Sequence, residues 1–173
     1  MIKVYLFYFY NPNDKTKENK AVCNKKEPSK RVAIVNVKLI KERSILYSPR
    51  RVNTPEDIVK LVRYELEDKD RECCLVVCLT AKNEPVNIHT LSVGSLSSSI
   101  VHPREVFKVG ILSNAYSIVL IHNHPSGDST PSKEDKDITT RIKEVSKIIG
   151  IHLVDHIIVG DNEYTSLKEI GYL

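Results

Sequence analysis

A chain of 173 residues suits one domain, at most with an appendage, and is long enough to bury a sizeable core. Its composition, 41% hydrophobic and 28% charged, excludes a disordered chain. No apolar run approaches the ~18 residues of a membrane-spanning helix. The formal net charge of +4 is carried by residues 1–30, where seven lysines face Asp14, Glu18 and Glu27; residues 31–173 balance at nineteen basic against nineteen acidic side chains.

The opening MIKVYLFYFY is apolar but short, and Asn11-Pro12-Asn13-Asp14 follows where a secretory leader would carry its cleavage site. The expectation is a cytoplasmic protein with no membrane partner. Residues 2–10 read as a short strand, and the lysine-rich residues 11–30 as a linker or loop. That places an N-terminal extension at 1–30 and the main domain at 31–173. The lysines are able to touch nucleic acid; the plainer reading is a solvated segment. Of the four cysteines, Cys23, Cys73, Cys74 and Cys78, three share one apolar run and none forms a C-x-x-C pair. That pattern excludes a zinc ribbon and a disulfide framework and fits free thiols.

Residues 31–47 (RVAIVNVKLIKERSILY) alternate well enough to predict two strands with a turn near Glu42–Ser44. Residues 53–66 predict a helix, with Thr54 as N-cap, Pro55 at its first position and Glu56 and Asp57 at its positive end. The apolar run 72–80 predicts a strand covered on both faces, and 86–94 the next strand. A helix follows from about Pro103 to Ser113, then a buried strand over 116–124. Residues 131–150 predict a long helix that Gly150 closes. Strands over 151–160 and in EYTSL complete the order. The alternation implies an α/β fold, a mixed sheet flanked by helices.

The stretch IHNHPSGDSTPSKED, 121–135, carries the chemistry. His122 and His124 end a strand, and residues two apart in a strand point to the same face. Two imidazoles projecting together can fill two of the four positions around zinc. Pro125-Ser126-Gly127 permits a sharp turn, after which the first turn of the next helix can offer Asp135 as a third ligand. Two histidines and a carboxylate leave a fourth position for water, the catalytic rather than the structural pattern. Each part alone has a plainer reading. Ser132-x-x-Asp135 resembles a capping box, Thr130-Pro131 can equally open the helix, and a lone H-x-H is more often structural. Three consecutive letters H-N-H do not make the nuclease of that name, whose residues spread over a longer unit.

Taken together, H-x-H, seven residues, Ser, two residues and Asp resemble the JAMM (MPN+) zinc metallohydrolase motif. The wider text, SIVHPREVFKVGILSNAYSIVLIHNHPSGDSTPSKEDKDITTRIKEV and then GIHLVDHIIVGDNEYTSLKEIGYL, resembles the RadC family of JAB-domain proteins over about residues 31–173. The resemblance implies a JAB/MPN (cytidine-deaminase-like) architecture and one zinc ion per chain on His122, His124 and Asp135. It also implies a glutamate upstream as general base. Glu72 fits, because it opens the strand where RadC-like sequences carry one; Glu84 falls in a turn and Glu105 on a helix. Ser132 is then expected to hydrogen-bond the oxyanion of an amide or isopeptide substrate in a peptide or protein. The family's association with DNA repair supplies an alternative, an accessory protein that binds nucleic acid. The helix-hairpin-helix segment of longer members has no counterpart in residues 1–30, which makes direct DNA binding less expected. A metal-bearing scaffold without turnover is a third alternative, disfavoured by the intact motif. His102 is expected at a helix start. His156 suits either a place behind the ligands, in company with Asp155, or an ordinary structural role, and is not counted in the site.

Overall fold

The computed structural model describes residues 30–67, 69–94 and 101–173. The strand expected over 2–10 and nearly all of the lysine-rich stretch lie outside the described residues. The chain divides into two compact units, Met1–Asn36 and Val37–Leu173, and every helix and strand described belongs to the second.

The order is α1 (Pro55–Leu66), β1 (Cys73–Leu79), β2 (Pro85–Val93), α2 (Pro103–Leu112), β3 (Ser117–Asn123), α3 (Lys133–Ile149), β4 (His152–Val159) and β5 (Tyr164–Ser166). The strands form one sheet in the order β2-β1-β3-β4-β5. Only β3 and β4 run parallel, joined by α3; the other neighbours are antiparallel. This is the expected mixed α/β sheet flanked by helices, consistent with a JAB-type fold.

Local chemistry explains the helix ends. Thr54 Oγ1 accepts from Asp57 N at 3.2 Å while Asp57 Oδ2 accepts from Thr54 N at 3.1 Å, so α1 opens on a reciprocal cap. His102 caps α2 through its Nδ1, which accepts from Arg104 N at 3.0 Å. Gly150 ends α3 at φ 78°, a conformation that costs glycine no Cβ clash.

β1 and β3 are buried at every position, as their unbroken apolar runs require. Their alternate residues feed two cores. Leu75, Val77, Val119 and Ile121 pack with Ile58, Val59, Val62 and Leu66 of α1. Cys74, Val76, Ile118 and Leu120 pack with Val106 and Phe107 of α2 and Ile142 of α3. No helix among the described residues is long and apolar enough to cross a membrane.

The two strands expected within 31–47 are not formed. Those residues have no regular structure and are mostly exposed, Ile34 and Leu46 completely. Alternating Val and Ile supply the side-chain pattern of a strand. A strand also needs a neighbour for its N–H and C=O groups, and the five-stranded sheet takes in none of these residues.

Candidate metal centre

The site forms where β3 leaves the sheet. His122 pairs with Cys74 of β1 on one side and Ile158 of β4 on the other. His124 N donates to Val159 O at 2.9 Å, so the parallel ladder carries one step beyond the strand. This fixes the backbone of both histidines, and strand periodicity turns both side chains toward the α3 face.

The return loop is clamped by the turn between β4 and β5. Gly127, at φ 83°, donates to His124 O at 3.0 Å and accepts from Asp161 N at 3.1 Å. Ser129 donates from both N and Oγ to Glu163 Oε1, at 3.2 and 3.0 Å, and its Oγ lies 2.9 Å from Thr165 Oγ1. The loop then delivers the chain to α3, whose first turn carries Asp135.

Ser132 and Asp135 form the cap of α3. Asp135 N donates to Ser132 Oγ at 3.1 Å, and Asp135 Oδ2 accepts from Ser132 N at 2.8 Å and Ser132 Oγ at 2.6 Å. The same carboxylate faces the histidines. His122 Nε2 lies 3.2 Å from Asp135 Oδ1, His124 Nε2 3.5 Å from Asp135 Oδ2, and the two Nε2 atoms are 3.1 Å apart. Among the described residues, His122, His124 and Asp135 are the group able to hold a metal ion.

The spacing can be tested against an ion. Zinc bonded tetrahedrally at ~2.0–2.1 Å requires ligand atoms separated by about 3.3 Å. The three observed separations, two of them to different oxygens of the Asp135 carboxylate, bracket that value. The protons fit as well. Asp128 O lies 2.7 Å from His124 Nδ1, and a carbonyl only accepts, so Nδ1 carries a hydrogen and Nε2 is the nitrogen turned to the centre.

The electrostatics of the site follow from burial and mutual hydrogen bonding. Burial by itself would raise the Asp135 carboxyl, but the two histidines and Ser132 outweigh it and hold it well below the usual carboxylate range. Asp135 in turn raises the His124 pKa, against the opposing effect of burial. Beneath them, fully buried His156 is pushed down to about 3, chiefly by burial.

Glu72 stands immediately before β1, half-buried, its carbonyl accepting from Gly94 N at 2.8 Å. The β1–β3 pairing ends at Cys74–His122, and Glu72 lies two residues before Cys74 as His124 lies two after His122. Its carboxylate is among the charges that raise the His124 pKa. Glu84 and Glu105 are elsewhere: Glu84 pairs with Arg50 at 3.3 Å, and Glu105 with Lys108 and Arg104 along α2. Cys73 and Cys74 face opposite cores, and burial pushes the Cys74 thiol up, which keeps it protonated beside the site. A cleft of about 370 Å³ opens next to His124 under the end of α1, lined by Val59, Arg63, Leu66, Lys69 and Asp161 among others.

Two groups escape the sequence reading, the Asp128 carbonyl and Thr139; His156, expected behind the ligands or in an ordinary structural role, does lie behind them. Thr139 is one helical turn after Asp135, and His156 lies two residues before Ile158, the partner of His122. Asp155 does not touch the His156 ring; its carboxylate accepts from Ser166 Oγ at 2.6 Å, Lys168 N at 3.1 Å and His156 N at 2.7 Å, and so pins β5.

Comparison with known proteins bears on what this site is. A profile of the RadC-like JAB domain matches residues 52–172. The chain is 53% identical over 122 residues to the UPF0758 protein of Desulfitobacterium hafniense strain DSM 10664 / DCB-2, covering 70% of this chain and 54% of that one. It is 51% identical over 121 residues to a UPF0758 protein of Caldanaerobacter subterraneus subsp. tengcongensis, covering 70% and 52%. The protein of the same description from Rubrobacter xylanophilus is 46% identical over 144 residues, covering 82% and 63%. The chain thus spans about half the length of the first two relatives.

Proposed function

Because this chain belongs to the RadC-like JAB domain family, we propose that it is a zinc-dependent metallohydrolase acting on amide or isopeptide bonds. The observation that carries the reading is the convergence of His122 Nε2, His124 Nε2 and the Asp135 carboxylate at 3.1–3.5 Å from one another. Two imidazoles and one carboxylate are borderline donors that suit zinc, and three protein ligands are the number found at catalytic sites. Bound there, zinc would supply Lewis-acid activation of water and of the scissile carbonyl.

The chain's own residues divide the remaining tasks. His122, His124 and Asp135 hold the ion. Glu72 takes the proton of the attacking water and returns it to the leaving amine. Ser132 turns its hydroxyl from Asp135 toward the developing oxyanion, at a helix start that favours negative charge.

The experiment is metal analysis followed by hydrolysis assays on peptide and isopeptide-linked fluorogenic substrates. Wild type should carry about one zinc per chain, and His122→Ala and Asp135→Ala should each lose it. Undiminished zinc in both variants would remove the ligand assignment. Metal-loaded protein inert toward the whole panel would overturn the amide-hydrolase reading.

A further inference from the structure

His156 of β4 lies beneath the metal centre, 1% exposed, with both ring nitrogens engaged. Its Nε2 is 2.9 Å from His122 Nδ1, and its Nδ1 is 2.6 Å from Thr139 Oγ1. Thr139, itself 0% exposed, also meets Asp135 O at 2.5 Å.

The protons of this chain of contacts admit one assignment. A carbonyl oxygen only accepts, so the Thr139 hydroxyl donates to Asp135 O. A hydroxyl has one proton, so toward His156 the Thr139 oxygen accepts, and His156 Nδ1 is the donor. The His156 ring faces an imidazole and a hydroxyl rather than a carboxylate, and a buried imidazole without a counter-charge is neutral. Its Nε2 therefore bears a lone pair and accepts. His122 Nδ1 must then donate, so Nε2 is the ring nitrogen turned to His124 Nε2 and Asp135 Oδ1.

We propose that His156, held by Thr139, is a positioning residue for the metal centre. The relay from Asp135 O through Thr139 and His156 to His122 locks the Nδ1-protonated tautomer and aims Nε2 at the ion. It begins and ends on two metal-holding residues, tying α3, β4 and β3 together under the site. Partners behind a ligating histidine commonly change metal affinity 10–100-fold.

The inference rests on the metal-centre reading, and the test separates the two. Zinc affinity is measured by chelator competition, and the His122 tautomer by long-range ¹H–¹⁵N NMR on metal-free protein. Wild type should show His122 protonated on Nδ1. Thr139→Val should weaken zinc binding 10–100-fold and disperse that tautomer, while Thr139→Ser, which keeps the hydroxyl, preserves both. A folded Thr139→Val with wild-type affinity and tautomer overturns the relay, as does a Thr139→Ser that loses as much as Val. Should Thr139→Val not fold, His156 decides: Gln, whose amide oxygen can accept from His122, must retain more affinity than Leu, and equal losses sink the proposal. Wild type that binds no zinc would refute the metal reading alone; His122 without a proton on Nδ1 would refute the relay alone.

Discussion

Gly160 and Gly127 approach so closely that a β-carbon on Gly160 would stand 2.2 Å from the Gly127 carbonyl oxygen. That contact is backbone against backbone, so neither side can swing away. It is what presses the loop bearing His124 and leading to Asp135 against the β4–β5 turn. Gly160→Ala is expected to displace the loop, costing about 1–3 kcal/mol in urea denaturation and weakening zinc binding. A variant with unchanged affinity would show that the clamp does not hold the ligands.

The caps of α1 and α3 offer a controlled comparison. Thr54→Ala and Ser132→Ala each remove an N-cap of the same reciprocal type and should each cost about 1 kcal/mol. Only Ser132 also holds the metal-facing carboxylate, so only Ser132→Ala should reduce zinc affinity. Chelator titration of the pair distinguishes a cap that serves the site from one that serves its helix alone.

Glu72→Gln keeps the shape of the side chain and removes its basicity. Zinc content and melting behaviour should match wild type, while any hydrolysis falls by about 10²–10⁴. Full turnover in this variant would move the general base to another group.

Metal-free protein should lose stability on mild acidification. The folded pKa of His156 is lowered to about 3, below its ordinary unfolded value of about 6.5. The unfolded chain therefore binds the proton first. His156 contributes its stability above about pH 6.5, and the fold loses it as pH falls toward 3. The slope is about 1.4 kcal/mol per pH unit for one proton. Asp155, raised by burial, works in the opposite sense at the acid end of that window. The difference between wild type and His156→Gln isolates the histidine. Parallel stability–pH curves for the two proteins from pH 6 to 4.5 would contradict the assignment.

The legible parts of this molecule are those where one residue type has one physical consequence. Unbroken apolar runs announced β1 and β3 because a strand covered on both faces has no polar side. Thr54, Ser132 and Gly150 announced helix ends because their side chains, or the lack of one, satisfy those ends. His122, His124 and Asp135 fall within one short stretch of sequence, so their meeting needed only a turn. Residues 31–47 were misread because alternation says nothing of who will pair with the backbone. His156 was visible, but its partners depend on how β4 registers against β3 and on Thr139 pointing down from a helix. The Asp128 carbonyl left no trace at all, since every residue carries one.

The residues able to hold a metal ion all come from 122–135, while the two cores draw on the sheet and all three helices. An ion that closes so short a span constrains little of the unfolded chain. If the site takes an ion, the fold should precede it. On the proposed reading, chelation should remove the free energy of binding and leave the scaffold standing, so that metal is stripped and restored without refolding. In evolutionary terms, ligand positions are free to drift in a duplicate copy that still folds, which makes architecture alone a poor witness to activity and the intact triad a better one.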